Sequence, residues 1–203
     1  MNTTDYNTKL KKSEIEKKKA RKITVDEIIN TYLTGQILSL PHLEYIMERQ
    51  LLKENSDFEF TCCEFNDNIY WKMVQYVAEK KLPFFDNRKT SLGKIIFKSI
   101  ANEYAHIIAD YCGTFNSFAP ELEHVLKNNI IQVGGTLSIT LIKRMPKQKK
   151  NHYKRFCKIR KQEKGVTQTE HALNVMTEQY PNYETIKVHP YKNMILYIIQ
   201  RVK

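Results

Sequence analysis

Three side chains able to bind metal ions or transfer protons, Glu103, His106 and Asp110, are separated by three and four residues along the chain. The apolar pattern around them predicts one helix over roughly 91–112 that ends at Gly113, and on a helix this spacing brings all three onto one face. A metal ion needs further ligands from another element, because one or two turns of a single helix cannot enclose it. We therefore expect a histidine hydrogen-bonded to nearby carboxylates at the helix surface, with no metal and no other cofactor.

Other motifs do not indicate a reaction. The four cysteines lack the Cys-x-x-Cys spacing of zinc sites, and no Gly-x-Ser-x-Gly or His-Glu-x-x-His pattern occurs. Gly134 and Gly135 lack the Lys-Ser/Thr that follows in a phosphate-binding loop, so a β-bulge or tight turn is the better interpretation. Trp71, the only tryptophan, has apolar neighbours, and we expect it in the core. No catalytic residue is assigned.

Charge is distributed unevenly along the chain. The sequence has 33 Lys and Arg residues against 22 Asp and Glu residues, a net charge of +11. Residues 143–165 hold eleven cations and one anion, residues 1–25 hold eight cations and three anions, and residues 26–142 hold ten cations and fifteen anions. A lysine-rich composition is typical of AT-rich genomes, but such a bias does not explain why the cations cluster. The clusters therefore indicate an anionic partner.

The segment at 143–165 has the composition of a nucleic-acid-binding loop. Its cations can displace counterions from phosphates, and the interleaved rings of Tyr153 and Phe156 can stack on bases. A second cluster, at 17–22, is typical of a basic arm or an import signal. The predicted nucleic-acid-binding residues are Lys143, Arg144, Lys147, Lys149, Lys150, Tyr153, Lys154, Arg155, Phe156, Lys158, Arg160 and Lys161 in the loop, with Lys17, Lys18, Lys19, Arg21 and Lys22 in the arm. Anionic lipid, an acidic protein tail or an import receptor would be attracted by the same charges.

These observations favour a non-enzymatic nucleic-acid-binding protein, for RNA or DNA, that contacts the phosphate backbone through the loop and the arm. The alternative is a structural or scaffold protein, such as a viral matrix-like protein, whose basic surface binds an anionic membrane or an acidic partner. An enzyme acting on nucleic acid is a third hypothesis, for which Glu103 and Asp110 are the only local carboxylate candidates.

Helices are predicted for most of the first two thirds of the chain. Residues 1–22 are polar and lysine-rich, which predicts a basic flexible tail or a helix that forms on a partner. A capping-box pattern at Thr24 opens a short helix, and apolar spacing predicts further helices on either side of a strand at 58–65.

The last third is predicted to be rich in strands. Residues 130–142 have β character on either side of the two glycines, and 184–188 and 194–202 form a hairpin pattern. Between these strands, the capping box Thr167-Gln-Thr-Glu170 opens a helix. This order predicts a single α+β domain over 23–203, in which helices of the N-terminal two-thirds pack on a small, mostly antiparallel sheet from the C-terminal third.

The sequence predicts an intracellular protein, either cytoplasmic or associated with the nucleus or nucleoid. Hydrophobic residues make up 41% and charged residues 27% of the chain, which is typical of a globular protein. No stretch approaches 18 uninterrupted apolar residues, so a transmembrane helix is not expected. The first residues lack the apolar core of a signal peptide.

Overall fold

The computed structural model describes residues 3–82, 85–143, 155, 161, 162 and 164–203. Helices and strands alternate through most of this part of the chain. The helices are α1 (Thr3–Asn30), α2 (Ile46–Glu54), α3 (Asp67–Lys80), α4 (Leu92–Ile96), α5 (Phe115–Lys127) and α6 (Gln168–Glu178). The strands are β1 (Gln36–Ser39), β2 (Glu59–Cys63), β3 (Phe85–Arg88), β4 (Tyr104–Gly113), β5 (Ile131–Ile142), β6 (Tyr183–Tyr191) and β7 (Met194–Arg201).

The strands form one seven-stranded sheet in the order β3-β2-β1-β4-β5-β7-β6. Neighbouring strands from β3 to β5 are parallel, and β7 runs antiparallel to both β5 and β6. The predicted α+β domain with a small, mostly antiparallel sheet is therefore wrong. The protein has an α/β fold in which a mostly parallel sheet occupies the centre.

The error arises in the middle of the chain, where the predicted helix at 91–112 is replaced by the short helix α4 and the long strand β4. Ile107 and Ile108 are both fully or almost fully buried, although consecutive residues of a strand face opposite sides of a sheet. A strand covered by helices on both sides has a continuous apolar run without alternation, and such a run resembles a buried helix.

Helices cover both faces of the sheet, and each face has its own apolar core. Helices α4, α5 and α6 pack on one face, where Ile107, Leu137 and Tyr197 are buried. Helices α1, α2 and α3 lie on the other face against Ile37 and Ile108. Trp71, on α3, is 58% exposed, so the prediction that it belongs to the core is wrong. Among the described residues, no helix is both long and apolar enough to cross a bilayer.

Helix α1 is continuous from Thr3 to Asn30. Thr24 does not begin a helix, because its hydroxyl donates to the carbonyl of Ala20 at 3.2 Å within the same helix. Ala20 is buried and belongs to a cluster with residues of β6 and β7. The predicted boundary between a tail at 1–22 and a domain at 23–203 therefore falls inside a helix that packs on the sheet.

Several local predictions are confirmed in the C-terminal third. Thr167 and Glu170 form the reciprocal capping box at the start of α6. The hairpin is present as β6 and β7. The predicted bulge also occurs: Tyr104 pairs with Ile131, but His106 pairs with Thr136, so β5 contains extra residues around Gly134, whose φ is +85°.

Replacing Gly135 by Ala is expected to cost about 3 kcal/mol of folding free energy, the upper part of the range for overpacking. A Cβ atom at this position would lie 2.0 Å from the carbonyl oxygen of Ala105, which is backbone and cannot rotate away. Urea unfolding of the two proteins measures the difference. Val133→Ala, at a 53% exposed position on the same strand, should change stability by less than about 0.5 kcal/mol. Equal losses of stability in both variants would show that the close approach of the Ala105 carbonyl does not restrict the side chain at residue 135.

Candidate active site

The sheet has a switch point between β1 and β4. From β1 the chain continues through α2 to β2 on one side, whereas from β4 it continues through α5 to β5 on the other. The connections therefore diverge at the carboxyl ends of these two adjacent strands and leave a crevice. Open α/β sheets bind their ligands in this position.

A cavity of about 280 Å³ opens at this edge of the sheet. Strands β4 and β5, the loop after β1, helix α1 and the β6–β7 hairpin all contribute to its wall. Its polar residues include Lys17, Arg21 and Thr24 of α1, His42 after β1, Asp110 of β4, and Ser138 and Thr140 of β5. Cations on one wall thus stand near a carboxylate and two hydroxyls.

Asp110 is held in the cavity by the register of the central strands. It pairs with Thr140 of β5. Ile108 of β4 and Ser138 of β5 pair with one another and also line the cavity. Since side chains two residues apart share a face of a strand, β4 and β5 present a short polar row at the switch point.

A second carboxyl group, that of Glu48 on α2, lies close to this row. Its side chain is fully buried, and one oxygen accepts a hydrogen bond of 2.5 Å from the hydroxyl of Ser39 at the end of β1. Burial raises the pKa of the Glu48 carboxyl, the Ser39 hydrogen bond opposes this rise, and the charge of Asp110 adds to it. Among the described residues, neither the other oxygen of Glu48 nor the buried hydroxyl of Ser138 has a hydrogen-bond partner.

Beside the switch point, the end of β2 presents a carboxylate and an aromatic ring. Glu64 directly follows β2, and its carboxylate accepts a hydrogen bond of 2.7 Å from the backbone of Asn66. The next residue, Phe65, is 75% exposed. An acidic residue at this position in nucleotide-binding α/β folds receives the ribose hydroxyls, and an exposed ring offers a face for a base.

The loop after β1 differs from the glycine-rich turn that holds a pyrophosphate in dinucleotide-binding folds. Residues 40–45 contain no glycine. Tyr45, which precedes α2, is buried with a φ of 49°, and its hydroxyl donates to Asn87 of β3. The turn is therefore filled by a side chain, and the arrangement does not favour a ligand with a bridging pyrophosphate.

The three residues first considered as a metal or acid–base group do not meet. Glu103 precedes β4 and accepts a hydrogen bond of 2.8 Å from the backbone of Ile100. His106 is fully buried within β4, so the prediction that it lies at a helix surface is wrong. Only Asp110 reaches the cavity. Across the described part of the chain, no group of three or more His, Cys, Asp or Glu side chains is placed to hold a metal ion.

The predicted nucleic-acid-binding residues are only partly described. Those outside the described residues are Arg144, Lys147, Lys149, Lys150, Tyr153, Lys154, Phe156, Lys158 and Arg160. Arg155 donates two hydrogen bonds, of 2.8 and 3.0 Å, to Glu123 of α5, whereas Lys161 is exposed. In α1, Lys18 and Lys19 are exposed and Lys22 pairs with Asp26 at 2.7 Å. Lys17 and Arg21 line the cavity, which the sequence did not predict.

The strand order, with the antiparallel β7 inserted between β5 and β6, is the Rossmann-like methyltransferase fold. No protein-family model and no curated protein sequence matches the chain. Among solved structures, the chain is similar to a proposed methyltransferase from Escherichia coli, with a TM-score of 0.61 and 8% identity over 91% of this chain and 87% of that one. A proposed methylase from Haemophilus influenzae gives a TM-score of 0.63 and 10% identity over 90% and 88%. An rRNA methylase from Streptococcus thermophilus gives 0.54 and 9% over 89% and 95%.

These similarities overturn the function predicted from the sequence. The clustered cations and the interleaved aromatic rings of 143–165 predict a non-enzymatic nucleic-acid-binding protein, with a matrix-like scaffold as the alternative. The chain instead shares the fold of solved structures described as a methyltransferase and a methylase, and it has a cavity at the edge where open α/β sheets bind their ligands. The prediction was wrong because clustered cations indicate an anionic partner but carry no information on whether a reaction follows.

Proposed function

We propose that the protein is an S-adenosylmethionine-dependent methyltransferase that modifies RNA. The observation that carries this proposal is a polar cavity at the switch point of a sheet with the methyltransferase strand order. Fold alone does not define a reaction, so the proposal rests on the residues that the fold brings to this edge.

The residues at the carboxyl edge fit S-adenosylmethionine better than a dinucleotide. The cofactor contains an adenosine but no phosphate. Glu64 is placed to accept hydrogen bonds from ribose hydroxyls and Phe65 to contact the base, whereas the glycine turn for a pyrophosphate is absent. When bound, the cofactor would supply an electrophilic methyl group.

The polar row of β4 and β5 would hold the methyl acceptor. Asp110 can orient a donor group of the substrate and take up the proton that the acceptor loses. The buried hydroxyl of Ser138 supplies a further hydrogen-bonding group in the same wall. Helix α1 and the hairpin close the other side of the cavity and limit the access of water.

RNA is the substrate class that the charges and the structural neighbours both favour. The neighbours include rRNA methylases from Streptococcus thermophilus and Clostridium thermocellum, and a complex of fibrillarin with Nop5p. The cations of 143–165 follow the carboxyl end of β5, at the edge where the cavity opens, and we retain them as proposed phosphate contacts.

The proposed cofactor site predicts that Glu64→Gln weakens S-adenosylmethionine binding by about tenfold or more, because a hydrogen bond to a charged group contributes about 1.5 to 3 kcal/mol. Isothermal titration calorimetry of the purified protein measures the affinity, and transfer of a labelled methyl group to total RNA measures the activity. Glu79→Gln, an exposed position near the opposite end of α3, is the matched control and should bind normally. If the wild-type protein neither binds the cofactor nor labels RNA, the proposed function is wrong.

A further inference from the structure

Cations from three separate parts of the chain lie on one surface beside the cavity. Helix α1 crosses β6 and β7, with Ala20 packed in a cluster that contains Tyr191 and Leu196. At the other end of this crossing, Lys187 of β6 lies 3.8 Å from Glu27 of α1. The α1–hairpin face is defined by the cations around this crossing: Lys17, Lys19 and Arg21 of α1, Lys143 after β5, and Lys187 and Lys192 of the hairpin.

The first residue of the basic segment is fixed on the hairpin. The backbone N–H of Lys143 donates to the carbonyl of Asn193 at 2.8 Å, and its ammonium donates to the carbonyl of Lys192 at 2.6 Å. The chain at 143–165 therefore starts on the α1–hairpin face. Lys143 and Lys19 of α1, which are separated by more than 100 residues in sequence, both act on His189 of β6.

The pKa of His189, on β6, responds to the positive charges of this face. Burial lowers the pKa of its imidazole, and the charges of Lys19, Lys187 and Lys143 lower it further, while Glu16 acts in the opposite direction. One anion of the face is weakly engaged: Glu14 lies 3.8 Å from Lys17, and both side chains are more than half exposed. Such exposed pairs contribute little, so a phosphate can replace the carboxylate.

Helix α1 continues beyond the cavity. Fourteen residues of the helix precede Lys17, which corresponds to about 20 Å of helix at 1.5 Å per residue. Because α1 leads into the amino end of β1 and its Lys17 lies at the carboxyl edge, this part of the helix points away from the sheet on the side of the site.

The charged and polar groups of the cavity are also unevenly distributed between its walls. Lys17 and Arg21 of α1 form a cationic wall, and Asp110 with Ser138 forms a wall that accepts hydrogen bonds. A nucleotide matches this polarity, since its phosphate is anionic and its base edge carries donors. A base within a duplex is stacked and paired, so it can enter such a cavity only from an unpaired segment or after extrusion.

We propose that the α1–hairpin face binds the sugar–phosphate backbone of an unpaired RNA segment and places one nucleotide in the cavity, with its phosphate toward α1 and its base toward Asp110. This inference rests on the proposed function for its substrate class. It adds which surface binds the RNA, that the bound segment is unpaired, and how the bound nucleotide is oriented in the cavity.

The test compares two triple variants that lose the same charge. Lys17→Gln/Lys19→Gln/Lys192→Gln removes three exposed cations of the α1–hairpin face, and Lys53→Gln/Lys72→Gln/Lys98→Gln removes three exposed cations elsewhere. Binding of a fluorescent single-stranded RNA is measured at several salt concentrations without cofactor. We expect the first variant to lose at least about tenfold in affinity at 0.1 M salt and about 2 units of salt slope, because each phosphate contact on a single strand contributes about 0.7. The control should lose less than about threefold.

Two further binding measurements compare single-stranded RNA with a duplex, and an RNA strand with a single nucleotide. The wild-type protein should bind the single strand more tightly than a duplex of the same sequence, and adenosine monophosphate at millimolar concentration should not displace the RNA. Equal losses in the two triple variants, equal affinity for the duplex, or displacement by the mononucleotide would each overturn the inference. Thermal melting checks that both variants are folded.

Failure of this inference can be separated from failure of the proposed function. RNA binding that depends on the α1–hairpin face, without cofactor binding or methyl transfer, would leave the inference standing and remove the proposed function. Methyl transfer to RNA at the same rate in both triple variants would support the proposed function and overturn the inference about the α1–hairpin face.

Discussion

Asp110→Asn is expected to slow methyl transfer by at least about 100-fold, the lower end of the usual contribution of a positioned acid or base. Asparagine has almost the same shape, but it carries no charge and does not accept a proton. Because Asp110 lies in the cavity at the carboxyl end of β4, its loss should act on the reacting group and leave the sheet unchanged. Initial rates of methyl-label transfer to RNA measure the effect, together with cofactor affinity by calorimetry.

The expected pattern for Asp110→Asn is a lower rate with cofactor affinity within about threefold of the wild type, the opposite of the pattern for Glu64→Gln. Asp57→Asn, at an exposed position before β2, is the control and should retain full activity. A rate for Asp110→Asn close to that of the control would show that the reaction does not take place in this cavity.

His106 is expected to make stability strongly dependent on pH below neutrality. Its Nδ1 accepts a hydrogen bond of 3.2 Å from the backbone of Thr136, so its Nε2–H donates to the carbonyl of Leu33 at 2.9 Å. Burial lowers the pKa of the imidazole to about 4, although the bond to Leu33 opposes the shift. The unfolded chain, with a histidine pKa of about 6.5, therefore binds the proton first as the pH falls.

The sign of the change in stability with pH follows from this difference in proton binding between the folded and the unfolded protein. Stability is highest above about pH 6.5 and decreases as the pH falls from 6.5 toward 4, with a total loss of about 3 kcal/mol attributable to His106. Urea unfolding of His106→Gln, which can keep both hydrogen bonds but does not titrate, should show a flatter pH profile. Identical profiles for wild type and His106→Gln would contradict the assignment.

Removing the side chain of His106 altogether should be more damaging. His106→Ala leaves the backbone groups of Thr136 and Leu33 without their partner in the core, and each unsatisfied buried group costs about 1 to 3 kcal/mol. This expectation replaces the earlier one of a histidine at a helix surface, whose substitution would have had little effect.

Some of the fold could be predicted because its signals are local. The capping box at Thr167 and the asparagine that caps α3 at residue 66 act within one helical turn. The β6–β7 hairpin has alternation on either side of a short turn, which a sequence shows directly. These elements depend little on the remainder of the chain.

The central strands could not be predicted in the same way. Strand β1 has only four residues, and Pro41 follows closely, a pattern that is also typical of the start of a helix. Strand β3, Phe85–Arg88, has one apolar residue. Strand β1 is completed by hydrogen bonds from parallel neighbours on both sides, β2 and β4, and β3, at the edge of the sheet, by those from β2. These partners are distant in sequence, so the information is not local.

The candidate site was only partly accessible from the sequence for the same reason. Asp110 was noticed, but with the wrong companions, since a strand and not a helix positions it. Glu48 and Ser138 give no local signal. Glu64 could have been found, because it is an acidic residue near the end of the strand predicted at 58–65, and the end of such a strand is a known position for ribose recognition in α/β folds.

The insertion of β7 between β5 and β6 has a consequence for the order in which the chain can fold during synthesis. In the described structure, β6 pairs only with β7, and β5 pairs with β4 and β7. While a ribosome is still making the last strand, β6 has no partner and the apolar edge of β5 stays open. The parallel half of the sheet can assemble as it emerges, but α1 cannot pack across the completed β6–β7 hairpin until β7 has emerged as well. A nascent chain stalled before residue 194 would therefore expose an unpaired strand edge, the kind of surface that chaperones protect from aggregation.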